Sequence, residues 1–96
     1  MENSVNMTNE REAKILEGAI EKFGTEAQIA KAVEELNELA AELARHLNGQ
    51  AKTENIREEL ADAFIMLNQL EMIFGDVSDV EIRKLERLEG MVSGEV

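Results

Sequence analysis

The stretch IREELADAFIMLNQLEMIF, residues 56–74, decides how this chain folds. It contains neither Gly nor Pro, the two residues that weaken a helix interior most. Leu60, Ala61, Ala63, Phe64, Ile65, Met66, Leu67, Leu70, Met72, Ile73 and Phe74 surround a helix drawn through it. A helix apolar on nearly every side has to be covered on every side. Three further short helices in one small chain leave part of that surface for another subunit.

Asp62 is the only charge between Leu60 and Leu70. Its neighbours at three and four residues are Glu58, Glu59, Ile65 and Met66, so no cation on the same helix neutralises it. A buried carboxylate without a partner costs several kcal/mol, about 3–5, unless its pKa rises or a cation compensates it. A structural partner from another helix is the plainer account; a metal ion shared with other acids is the sharper one. Glu59 and Asp62 stand at i, i+3 on one helix face, and the preceding helix carries a matching pair, Glu35-x-x-Glu38. Antiparallel packing of the two helices would gather four carboxylates around one small volume. Hard divalent cations with oxygen ligands, Mg²⁺ or Mn²⁺, suit such a set, and the ion in turn suits a polyphosphate.

Local signals outward from this segment divide the chain into an all-α domain of four helices spanning residues 1–96. Asn9-x-x-Glu12 resembles a capping box, so helix 1 is expected to start after Thr8 or Asn9 and to end at Phe23, before Gly24. Thr25-x-x-Gln28 opens a second helix to about Leu47, closed by Asn48-Gly49. Asn55-x-x-Glu58 opens the third, to Phe74, and Ser78-x-x-Glu81 the fourth, to about Gly90. Residues 1–7 and 93–96 are expected to fray. Helix 2 carries an apolar row of Ile29, Val33, Leu36, Leu39, Leu43 and Leu47. Helix 1 offers Ala13, Leu16, Ile20 and Phe23, with Gly18 as a point of close helix approach; helix 4 offers Ile82, Leu85, Leu88 and Val92. Glu71 is expected at the surface.

Composition narrows the functional classes. There is no Cys, which removes disulfides and thiolate metal sites, and no run of the roughly 20 apolar residues a membrane span needs. The acidic N-terminus is not that of a signal peptide, and a cytoplasmic protein is expected. A net charge of −11 disfavours binding to a nucleic acid polymer, although acidity of this size also serves solubility. Against that background Arg83, Lys84 and Arg87 cluster on helix 4, and Lys31 lies one turn before Glu35. Lys31, Lys84 and Arg87 are candidate phosphate ligands; solvated surface charges paired with Glu81 or Glu86 are the plainer reading. His46 suits the negative end of helix 2. No Trp or Tyr is available to stack on a base, leaving Phe23, Phe64, Phe74 or aliphatic groups, with Asn68 and Gln69 placed either to hydrogen-bond a base edge or to serve helix packing.

Glu34-Glu35-x-x-Glu38, twenty residues, then Glu59-x-x-Asp62 resembles the EExxE…ExxD signature of the MazG-like all-α nucleoside triphosphate pyrophosphohydrolases. The flanking text, Gln28-Ile-Ala-Lys31 and Ala63-Phe-Ile-Met-Leu67, agrees, and the likeness covers about residues 20–90. It implies a four-helix bundle completed by assembly into a homodimer or homotetramer. It also implies Mg²⁺-dependent hydrolysis of a nucleoside triphosphate to the monophosphate and pyrophosphate. Metal ligation carries over to Glu35, Glu38, Glu59 and Asp62, and Lys84-x-x-Arg87 resembles the basic pair that follows the motif helices in relatives. Glu38 is assigned as the general base, with Glu34 and Glu58 outside the ligand set. A non-catalytic helical module that presents its acidic face to a basic partner is the alternative. A di-iron carboxylate bundle would use Glu-x-x-His, which this chain lacks.

Overall fold

The computed structural model describes residues 2–94, with side chains from Asn9 onward. Four helices follow in order: α1 (Glu2–Phe23), α2 (Thr25–Leu47), α3 (Thr53–Phe74) and α4 (Ser78–Ser93), with no strand among the described residues. The expected C-terminal limits at Phe23, Leu47 and Phe74 are all met. The helix starts differ, for one physical reason: the residues at the cap positions of α2, α3 and α4, Gly24, Lys52 and Val77, make no side-chain cap hydrogen bond. Gly24, at φ 95°, ends α1 and also precedes α2, accepting a hydrogen bond from the Gln28 amide at 3.1 Å. Thr25 is therefore already helical, and its hydroxyl cannot cap. Lys52, in extended conformation, precedes α3, whose first residue, Thr53, lies two positions before Asn55. Asp76 takes over at α4, where its Oδ1 accepts both the Ser78 amide (3.1 Å) and the Ser78 hydroxyl (2.7 Å).

The outer ends are longer than expected. α1 runs through Asn9 back to Glu2, so Asn9-x-x-Glu12 lies inside the helix instead of capping it. α4 passes Gly90 and stops at Gly94, in the left-handed conformation. Of the segments expected to fray, 2–7 and Ser93 are helical, while residues 1, 95 and 96 lie outside the described residues.

A five-residue loop, 48–52, folds α2 and α3 into an antiparallel hairpin. These two helices form the main interface, and α1 packs across both. The side chains sealed there are Leu16 from α1, Ala32 and Gln28 from α2, and Ala63, Met66 and Gln69 from α3. Small Ala32 and Ala63 let the two backbones approach. The expected leucine row of α2 is only partly covered: Ile29, Leu36 and Leu39 are half-buried, while Val33, Leu43 and Leu47 are exposed. Phe23 is exposed as well. Gly18 is not a contact point, because a Cβ there would meet nothing within 4 Å. It only costs α1 about 1 kcal/mol relative to Ala.

α4 stands apart, with no Cα within 8 Å of another helix and no buried residue among those described. Ile82, Leu85, Leu88, Met91 and Val92 are exposed, and so are Leu60, Phe64, Ile65, Leu67, Met72 and Phe74 on α3. The consequence is measurable. The radius of gyration is 16.3 Å, against about 13 Å for a compact chain of this length. The accessible surface is 7825 Å², against about 5,500 Å² for a compact monomer of this mass. No described helix is long and apolar enough to cross a membrane.

Candidate metal centre

The hairpin brings the two acidic pairs together. One carboxylate oxygen from each of Glu35, Glu59 and Asp62 lies within 4.8 Å of the others. Two are half-buried residues of α3, one turn apart, and Glu35 reaches them from α2 with a side chain only 12% exposed. Glu38 joins through Glu35: it, Glu34 and Glu35 form a second group within 4.8 Å, and Glu38 itself is exposed. All four carboxylates predicted to bind metal therefore share one neighbourhood, with Glu35 common to both groups.

The electrostatic cost shows on Glu59. Burial raises its carboxyl above the ordinary value of 4.5, and the charges of Glu38, Asp62 and Glu35 raise it further. Two oxygens, Glu35 Oε2 and Glu59 Oε2, are fully buried and accept no hydrogen bond. Carboxylate oxygens in that condition are normally satisfied, since an unmade bond to a buried acceptor costs about 1–3 kcal/mol or more for a charged group. The donor set suits a hard cation in kind, since every donor is a carboxylate oxygen.

The basic candidates divide. Lys31 Nζ lies 3.2 Å from Glu34 Oε1 and 3.2 Å from Glu35 Oε1. Its ammonium is raised above the ordinary 10.5, first by the Glu34 hydrogen bond and then by that of Glu35. Lys84 and Arg87 are exposed on α4, and neither forms an ion pair among the described residues. In a single chain their helix does not approach the backbones of α2 and α3 that carry the carboxylates. Glu58 is exposed and outside both acidic groups.

Of the two buried amides, Gln69 takes the helix-packing role its position allows, whereas Gln28, expected in a capping box, is sealed in the core instead. Gln28 and Gln69 lie in the interface, and Gln69 Oε1 has no partner. Burial of Gln69 at 2% exposure removes it from the set that could meet a base, whereas half-buried Asn68 lines two hollows beside α3. Glu71, expected at the surface, is half-buried and accepts the Val77 amide at 3.2 Å. No protein-family model, curated protein or solved structure matches this chain.

Proposed function

We propose that this chain is a MazG-like nucleoside triphosphate pyrophosphohydrolase of the cytoplasm, dependent on Mg²⁺ or Mn²⁺. The observation that carries the reading is the convergence of Glu35, Glu59 and Asp62 oxygens within 4.8 Å, two of the site's oxygens being buried without a partner. The motif spacing that resembles the family places acids at these positions, and cation binding would give their close approach a reason. When bound, the ion neutralises the polyphosphate and polarises the phosphoryl group.

The chain's own groups do the rest. Glu35, Glu59 and Asp62 would hold the ion. Glu38 stands beside them but outside the tight trio, more exposed, and so is the carboxylate left to take a proton from water. That water's oxygen bonds to the α-phosphorus as the bond to the bridging oxygen breaks; pyrophosphate leaves and the nucleoside monophosphate remains. Lys31 is positioned to meet phosphate oxygens at the mouth of the site. Lys84 and Arg87 supply further positive charge once α4 is brought up.

We further infer a homodimer or homotetramer. The single chain exposes about 2,300 Å² more than a compact protein of its mass, an area on the scale of an obligate interface. The test of activity is release of pyrophosphate and monophosphate from a panel of common and damaged nucleoside triphosphates with Mg²⁺. Activity on at least one substrate, lost in EDTA, is expected. Absence of pyrophosphate across the panel, or turnover that resists EDTA, overturns the assignment.

A further inference from the structure

We propose that Lys31 is the resident counter-cation of the carboxylate site, occupying Glu35 while no metal is bound and weakening the binding of a bare divalent ion. This rests on the metal-centre reading above and adds to it a control on affinity. Glu35 is shared between two neighbourhoods. Its Oε1 meets Lys31 Nζ at 3.2 Å, and its Oε2 is buried and without a partner. Among the described residues, no other Lys or Arg pairs with any of Glu35, Glu38, Glu59 or Asp62.

Lys31 has two opposing influences on an arriving ion. By holding Oε1 it restricts Glu35, which helps ligation. By standing across one carboxylate from the site it repels a second positive charge, which hinders ligation. The first effect is small, because packing already leaves the Glu35 side chain only 12% exposed and little freedom remains to be removed. The second is larger. A unit charge facing a divalent ion across about 6 Å changes affinity by about tenfold even in a water-like dielectric. Repulsion wins.

The same charge offsets the mutual repulsion of the acids when the site is empty. It also favours an ion that arrives already complexed by an anion, because such a complex carries less positive charge or none. Lys31 therefore selects the metal–polyphosphate complex over the free metal.

The experiment is Mn²⁺ titration followed by electron paramagnetic resonance, with thermal melts in EDTA, on the full chain. The variants are Lys31→Met, Lys31→Gln, Lys31→Arg and Glu59→Gln. Met and Gln are good helix formers at this half-exposed position, so the fold is retained. Lys31→Met and Lys31→Gln are expected to bind Mn²⁺ about tenfold more tightly than the natural chain and to melt lower in EDTA. Lys31→Arg, which keeps the charge, is expected to stay close to the natural chain in both. Equal or weaker Mn²⁺ binding by the two neutral variants overturns the role of Lys31 and leaves the metal centre standing. Failure of the natural chain to bind Mn²⁺, or undiminished binding by Glu59→Gln, overturns the metal centre itself and the inference with it.

Discussion

Where α2 and α3 cross, polar atoms are buried without partners; along α4, apolar side chains are exposed without partners. Each condition is costly by itself, and the two call for different remedies. The crossing lacks positive charge at one point, which a small ion would supply. The arm lacks a surface, which only another macromolecular face supplies. Lys31 partly meets the first need from within the chain. Among the described residues no helix packs on α4 to meet the second, since none brings its backbone within 8 Å.

The largest effect is expected at the crossing. Asp62→Asn keeps the side chain's shape and removes one anionic ligand from a trio, so Mg²⁺-dependent pyrophosphate release should fall by more than about 100-fold. Far-ultraviolet circular dichroism should be unchanged. Glu17→Gln, on an exposed α1 position, is the control and should have little effect. Full activity in Asp62→Asn would place the chemistry elsewhere.

The arm comes next. Sedimentation at micromolar concentration should give at least twice the 10.7 kDa of one chain. Leu85→Lys with Leu88→Lys, both exposed on α4, should return the mass to that of one chain while Mn²⁺ binding at the crossing survives. A natural chain that sediments as a monomer removes the proposed partner copy. A double variant that remains a dimer moves the interface to α3.

A smaller effect separates the two regions by pH. Glu59 has a folded pKa raised by burial, with Glu38, Asp62 and Glu35 adding to the shift. A carboxyl raised in the folded state contributes stability that is fully present below its unfolded value and is lost as pH rises through the folded one. Metal-free protein should therefore gain from this group as pH falls from about 7 toward about 4.5. Glu59→Gln should melt higher than the natural chain at neutral pH in EDTA and show a flatter profile. The same slope in both proteins would mean that Glu59 does not carry the strain. Lys84 and Arg87, exposed on the arm, should not alter that slope when changed to Gln.

The two regions also differ in how well the sequence announces them. Helix ends at Phe23, Leu47 and Phe74 were legible because Gly24, Asn48-Gly49 and Gly75 interrupt an otherwise unbroken helical text. Helix starts were less legible, because Gly24, Lys52 and Val77 occupy the cap positions without side-chain caps. The acidic trio was readable from i, i+3 spacing on two adjacent helices, which a short loop makes antiparallel. Burial was harder. Helical periodicity marks Val33 and Leu43 as interior and gives Gln28 no such mark, yet the interface seals the amide and leaves both aliphatic groups exposed. Which stripe of α2 is covered depends on where α1 and α3 lie, and that is a tertiary fact. Lys31 illustrates the same limit: its position suggested a phosphate ligand or a solvated surface charge, and the structure pairs it with Glu34 and Glu35.

The connector between α3 and α4 has a geometric consequence of its own. Gly75 turns the chain at φ 112°, Asp76 Oδ1 holds both donors of Ser78, and the Val77 amide is tied back to Glu71 Oε2. The Ser78 hydroxyl, first among several donors, holds the Asp76 carboxyl below its ordinary value. α4 therefore leaves α3 in a defined direction. For a chain that meets its own copy along α4, that direction sets the rotation from one copy to the next. Rotation in turn decides whether copies close into a symmetric ring or pair or continue as an open filament. The symmetry of such an assembly would thus depend on this connector, away from the acidic trio, as much as on the face that pairs.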